Sequence, residues 1–289
     1  MTGTSFFSRR WFASVSAKII IWGILCVSLC FILAPLLFML TAAFMPAGDI
    51  VKMPYRWIPR GFFLSNFVKA VAGNDGSFIF FRNLFNSLVV AVTVSVTTVL
   101  LSSLTGYSLS KFHYRGRDAI FMLIMATMMI PFEAIMIPLY IVVTKIGIQN
   151  SYTGLILPFL VNAFGIFMMR QYLITFPDEL IDAARVDGMS EFAIYRRIIL
   201  PNSGPVIATL AILSFRTQWD NLLWPLLIAQ TEKMKTLPLY IVKFSTEKYT
   251  DEGAMMAVAL LASIPMFILF FALNQYFIKG AALFSARKG

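Results

Sequence analysis

PDELIDAARVDGMSEFAIYRRIILP, residues 177–201, is the longest amphipathic interruption in an otherwise very hydrophobic chain. Pro177 suits a first helical position, Asp178 and Glu179 complement the positive end of a helix, and Gly188 suits the left-handed residue that follows one. Ser190 can cap a second helix, Arg196 and Arg197 fall in its last turns, and Pro201 stops it. The stretch therefore predicts two short helices about a bend at Gly188. Ala183 and Ala184 are expected to give the first helix a bare face that, with its apolar neighbours, fits a groove on another protein.

The sequence around this loop excludes a soluble domain. Its 289 residues are 59% hydrophobic and 13% charged, with a mean hydropathy of +0.79, against an apolar share of about 45–50% in soluble proteins. Cys26 and Cys30 lie one helical turn apart in the first apolar run, a spacing that suits lipid contact or packing and not a disulfide. The formal net charge of +10 is spread around apolar runs and gathers on no soluble face, so it points to membrane lipid and away from nucleic acid.

Crossing about 30 Å of hydrocarbon takes about 20 apolar residues. Runs of that length cover 18–41, 86–109, 119–143, 153–174, 203–229 and 254–278, which predicts an all-α polytopic protein with six spans. The first run is too long for a cleaved signal peptide and reads as a retained anchor. Basic residues set the orientation: Arg9, Arg10 and Lys18 precede span 1, Lys111, Arg115 and Arg117 fill the short loop after span 2, and Lys279, Arg287 and Lys288 end the chain. Short loops weigh most, so 1–17, 177–201 and 279–289 are expected in the cytoplasm. Residues 42–85 then form an extracytoplasmic segment with at most a short helix near 64–72, and 86–278 the core with spans 2–6.

Several polar residues inside the spans need an explanation. Asn83, Asn86 and Ser87 are expected to cap the start of span 2. Pro131 and Pro138 flank Glu133 in span 3, which predicts a bent helix that walls a pathway, with Glu133 a buried acid that either partners freed backbone or a neighbouring helix or faces the substrate pathway. Pro158, Asn162 and Gly165 in span 4 suit close packing. In span 5, Arg216 and Asp220 are four residues apart, on one helix face, and can pair; with Gln218, Trp219 and Asn221 they are the candidates for contact with a polar solute. His113 sits in the short basic loop with no neighbours for metal or acid–base work.

The loop resembles the cytoplasmic docking loop of importer-type ATP-binding-cassette permeases, E-A-A-x3-G-x9-I-x-L-P, with Asp182 in the Glu place, then Ala183, Ala184, Gly188, Ile198, Leu200 and Pro201. APLLFMLTAAF in span 1, NSLVVA from Asn86, LTGYSLSKFHYRGRD, IPLY from Ile137, WDNLLWPL from Trp219, TLPLY from Thr236 and the tail are similar to the smaller membrane subunit of maltose-type carbohydrate permeases. The resemblance implies the type I importer fold, a second permease subunit, two ATPase subunits that bind ATP and magnesium, an extracytoplasmic solute-binding protein, and a bacterial inner-membrane location with both termini inside. It also implies that closure of the ATPase dimer moves the docking helices and opens a midplane cavity outward, an alternating-access cycle driven from a distant site. The chain itself carries no G-x4-G-K-[ST] phosphate loop and needs no cofactor. The family more often has an apolar residue at the Arg216 position and Asn at Asp220, which leaves room for an acidic, sulfonated or phosphorylated sugar.

Other classes fit less well. A non-carbohydrate importer permease shares the loop pattern. A secondary transporter calls for inverted repeats and intramembrane coupling carboxylates, and a membrane enzyme for clustered His, Cys or acids near an interface.

Overall fold

The structure, a computed structural model, describes residues 4–73, 76–246 and 249–286, with side chains at 18–73, 76–244 and 251–276. In chain order the helices are α1 (Thr4–Ala42), α2 (Ala47–Ile50), α3 (Ser65–Ala72), α4 (Ile79–Lys111), α5 (Arg117–Thr127), α6 (Phe132–Lys145), α7 (Tyr152–Ile156), α8 (Ala163–Ile174), α9 (Asp178–Val186), α10 (Glu191–Ile194), α11 (Leu200–Asn202), α12 (Gly204–Trp219), α13 (Leu223–Ile228), α14 (Leu237–Val242) and α15 (Glu252–Ala286). A 3-10 turn over Leu157–Phe159 extends α7, and a π turn over Tyr195–Ile199 joins α10 to α11. Two-residue strands β1 (Ser245–Thr246) and β2 (Tyr249–Thr250) pair antiparallel before α15. Arg287, Lys288 and Gly289 of the tail lie outside the described residues, as do the side chains of Arg9, Arg10 and Lys279.

Among the described residues, three helices are long and apolar enough to cross a membrane alone: Lys18–Ala42, Ile79–Lys111 and Glu252–Tyr276. Three bent pairs pass the same test together, Arg117–Thr127 with Phe132–Lys145 (92°), Tyr152–Phe159 with Ala163–Ile174 (43°) and Glu191–Asn202 with Gly204–Trp219 (79°). The predicted spans 3 and 4 are thus broken, and span 5 ends its first helix at Trp219 instead of running on to residue 229. Pro131 lies in the break of span 3, where it caps α6 and cannot donate a backbone hydrogen bond.

The chain separates into two compact units. The first comprises Met1–Ala70 and Phe244–Leu261. Ala42, Met45 and Ile50 form its small core with Phe38, Tyr55 and Met256. Asn66, fully buried, donates to the carbonyls of Ala43 (3.0 Å) and Met45 (2.7 Å), and Lys69 pairs with buried Asp251 at 2.7 Å. Cys26 and Cys30 are free and exposed on α1.

The second unit, Val71–Lys243 and Ala262–Gly289, is built on α4, which packs along α8 and α12. Glycine permits that approach: a Cβ at Gly106 would come 2.6 Å from the Met169 Cβ, and one at Gly165 would come 2.5 Å from the Ser102 Oγ. Ser95, Thr98 and Ser102 share one face of α4, are buried, and have hydroxyls without a hydrogen-bond partner.

Asn83, Asn86 and Ser87 do not cap span 2. The helix starts at Ile79, behind Phe78, so all three lie inside it and are buried. Asn86 donates to the carbonyls of Lys233 (2.9 Å) and Lys235 (2.8 Å) and accepts from the Tyr152 hydroxyl (2.6 Å). Ser87 accepts from the Leu237 amide at 2.7 Å. Asn83, with its amide turned so that nitrogen faces the carbonyls, donates to Glu232 and Lys235, both at 3.1 Å. These side chains fasten the 232–237 connection to α4.

Candidate functional site: a docking loop and a cavity at the helix breaks

The 177–201 loop folds as two short helices about Gly188, whose φ is +76°. Asp187 caps the end of α9; the Gly188 amide donates to the Arg185 carbonyl and the Met189 amide to the Ala184 carbonyl, closing the helix in a Schellman turn. Ser190 accepts from the Ala193 amide and caps α10. Pro177 precedes α9 as its cap and is not its first residue, and Pro201 lies within α11, which ends at Asn202. The 79° bend between Glu191–Asn202 and α12 turns this part of the loop nearly perpendicular to span 5.

Burial redistributes the loop's expected roles. Ala184 is 3% exposed and packs with Ile181, Ile194, Ile199 and Met169, so it presents no bare face; its small side chain lets α9 settle on this core. Ile198 and Leu200 pack against the same cluster. Asp182 and Ala183 stay exposed, and Asp182 pairs with Arg185 at 3.0 Å. The outward apolar surface is formed by Leu180, Val186 (88% exposed) and Phe192 (67% exposed), which the repeat pattern did not single out.

Polar contacts tie the loop to α4. Lys111 Nζ reaches Asp178 Oδ1 and the Phe176 carbonyl, each at 2.6 Å. The Tyr107 hydroxyl donates to Glu191 Oε2 at 2.8 Å, and the Ser103 and Tyr195 hydroxyls lie 2.7 Å apart. Arg185 Nε donates to Glu191 Oε1 at 2.7 Å, and this hydrogen bond is the main cause holding the Glu191 carboxyl below its ordinary range.

The second feature is a cavity of about 680 Å³. It is lined at the breaks of spans 3 and 4, by Met128, Ile130 and Glu133 and by Pro158, Phe159 and Asn162, and by Asp220 to Leu223 where α12 ends. Interrupted helices are tolerated inside a membrane where the freed backbone lines a cavity or is covered by protein. Glu133, Gln218, Asp220 and Asn221 line this one, while Asn162 also caps α8 by accepting from the Gly165 amide at 2.8 Å.

Glu133, expected to be a buried acid, is exposed in the first turn of α6, where its charge complements the helix dipole. Arg216 and Asp220 do pair, Nε to Oδ2 at 3.5 Å, but both are more than 60% exposed and Arg216 is not part of the lining. Trp219, expected beside the solute, is buried instead: its indole stacks on Phe215 and donates to the Ala262 carbonyl at 3.0 Å. Its NH needs a partner once the ring is buried, and α15 supplies it. Among the described residues, no three His, Cys, Asp or Glu side chains are grouped to hold a metal.

Residues 98–282 match the family described as "Binding-protein-dependent transport system inner membrane component". The chain is 34% identical over 248 residues to the arabinooligosaccharides transport system permease protein AraQ of Halalkalibacterium halodurans, covering 85% of this chain and 88% of that one. It is 30% identical over 269 residues to the sn-glycerol-3-phosphate transport system permease protein UgpE of Agrobacterium fabrum, with 91% and 95% covered. Its fold resembles that of a bacterial ABC transporter involved in the import of the acidic polysaccharide alginate, at a TM-score of 0.78 and 23% identity, with 93% of this chain and 98% of that chain covered. The six-span architecture, the docking-loop pattern and these likenesses agree: the chain belongs to the binding-protein-dependent transport system inner membrane components, as a permease subunit of an ATP-driven importer and not an enzyme.

Proposed function

We propose that this chain is the smaller of two permease subunits in a carbohydrate importer, with both termini and the 177–201 loop in the cytoplasm. Two ATPase subunits bind ATP and magnesium there, and an extracytoplasmic protein delivers the solute. The observation that carries the coupling role is the two-sided burial of the loop. Its inner residues, Ile181, Ala184, Ile194 and Ile199, belong to one core with Leu173 of α8 and Val206 and Leu210 of α12, while Val186 and Phe192 project outward. A partner that grips the outer side moves the spans through the inner one, so nucleotide-driven closure biases a two-state membrane core. Asp182, Ala183, Gly188 and Pro201 supply the shape and charge of the outer surface.

Co-expression with the ATPase subunits tests this. Phe192→Asp puts a charge into the apolar contact and is expected to abolish co-purification while leaving the permease in the membrane. Full recovery of the ATPase with the variant, together with normal uptake, would exclude the loop as the docking element.

The cavity at the span breaks is the pathway half contributed by this subunit, with Glu133, Gln218, Asp220 and Asn221 offering hydrogen bonds to sugar hydroxyls. Arg216 favours a cargo carrying an anionic group. Its guanidinium makes one 3.5 Å contact to Asp220 and is otherwise exposed beside the cavity, available for bidentate contact with a carboxylate, sulfate or phosphate. Two proteins similar to this chain are named for such cargo, sn-glycerol-3-phosphate and alginate. Arg216→Met is expected to reduce uptake of anionic sugars more than that of neutral ones; equal losses would remove the charge-reading role.

A further inference from the structure

A second cavity, of about 430 Å³, lies against the docking loop and is lined by Lys111, His113, Arg117, Arg170, Asp178 and Arg185, among others. We propose that it binds a phosphate group, supplied by an anionic phospholipid of the cytoplasmic leaflet or by a soluble phosphate. The inference rests on the cytoplasmic placement of the loop.

Burial sorts the charges. The side chains of Lys111, Arg170 and Arg117 are 4%, 14% and 23% exposed, whereas the carboxylates of Asp178 and Asp182, which also line the cavity, are 75% and 66% exposed, and Asp118, the partner of both arginines outside the lining, is 69% exposed. Cations therefore form the floor and the acids stand at the rim, hydrated and weakly held. Donors remain on that floor. Arg170 uses Nε on the Leu109 carbonyl and Nη2 on Asp118, which leaves Nη1, while its Cζ sits over the Phe121 ring, 4.0 Å from the centroid. Lys111 keeps its third N–H there, and at the rim Arg185, 39% exposed, uses Nε and Nη1 and keeps Nη2. A phosphate has the charge and the several acceptor oxygens to take these donors together.

The position suits a lipid headgroup. Lys111 ends α4, Arg117 begins α5 and Arg170 lies in the second half of α8, so three spans bring cations to one membrane boundary. Basic pockets between spans on this side of a membrane are headgroup sites. Occupancy has a consequence for coupling, because Lys111 is also the residue that holds Asp178 at the start of the docking loop. A bound phosphate shares that cation and loosens the tie, which makes the loop sensitive to its lipid surroundings.

The test uses the whole importer, with its ATPase subunits, in nanodiscs of phosphatidylcholine with and without phosphatidylglycerol. Native mass spectrometry counts retained lipid, and inorganic phosphate serves as the soluble probe. Wild type is expected to retain phosphatidylglycerol, and Arg170→Gln to retain about tenfold less, the equivalent of one lost charge-assisted contact. Arg170→Lys restores part of the binding. Arg117→Gln, which leaves the Phe121 contact intact, shows the same loss and separates ligand binding from misfolding. If inorganic phosphate displaces the lipid, or alone raises the thermal stability of wild type but not of Arg170→Gln, the site takes soluble phosphate as well. Equal lipid retention by wild type and both Gln variants, with no effect of phosphate, overturns the proposal. Retention is read without cargo or nucleotide, so its failure leaves the transport reading untouched.

Discussion

The two ends of α4 are fastened by different chemistry. At one end Asn83, Asn86 and Ser87, all buried, hold the 232–237 connection through amide and hydroxyl hydrogen bonds to backbone groups. At the other, Lys111 and Tyr107 hold the docking loop through the carboxylates of Asp178 and Glu191. Neutral buried bonds are insensitive to salt and costly to leave half made, whereas a pair with one exposed partner is screened and cheaply broken. The first end behaves as a fixed anchorage, and the second as a joint that a partner's charge can reach.

Three substitutions probe that contrast. The largest functional effect is expected from Gly188→Val. A Cβ there has open space, so the damage comes from the backbone, where a non-glycine residue at φ +76° costs about 1–2 kcal/mol and β-branching adds to it. Membrane levels stay normal while uptake falls to background; normal uptake at wild-type level would show that the bend is not needed for docking. Asn86→Ala strips the neutral end, leaving two buried carbonyls and the Tyr152 hydroxyl without their partner. Roughly 2–4 kcal/mol of stability is expected to be lost, measured by thermal unfolding in detergent and unchanged by salt. Lys111→Met at the charged end has the smallest effect, about 1–2 kcal/mol, because Asp178 is mostly exposed and regains water while the Phe176 carbonyl loses its donor. Its signature is a fall in coupled ATPase activity that high salt reproduces in the wild type. A salt-dependent Asn86 variant, or a Lys111 variant as destabilised as the Asn86 one, would erase the distinction between the ends.

Much of this architecture is local and could be read from residue order. The six apolar runs, the bend at Gly188 with its Ser190 cap, the break at Pro131 and the short helix near 64–72 follow from hydropathy, turn chemistry and proline geometry. What escaped depends on contacts distant in sequence. Asn86 looks like a cap because it is polar near the start of a span, yet its partners lie 147 and 149 positions away. Ala184 looks like an exposed small face because an amphipathic pattern defines two sides without saying which meets the core. Trp219 looks like a contact for a polar solute until α15 is seen to accept from its indole. The convergence of the breaks in spans 3 and 4 and the end of α12 on one cavity has no signature in sequence, since each interruption is visible only separately.

Between the two fastened ends of α4 lies the stripe of Ser95, Thr98 and Ser102, whose hydroxyls bond to nothing. Seen mechanically, it is a seam held by shape alone. At Ser102, where α4 meets Gly165 of α8, a small rotation or translation has no side-chain hydrogen bond to break. A rod clamped at its tips by directional bonds is held along this stretch by the fit of side chains alone, so a turn there works against packing and not against hydrogen bonds.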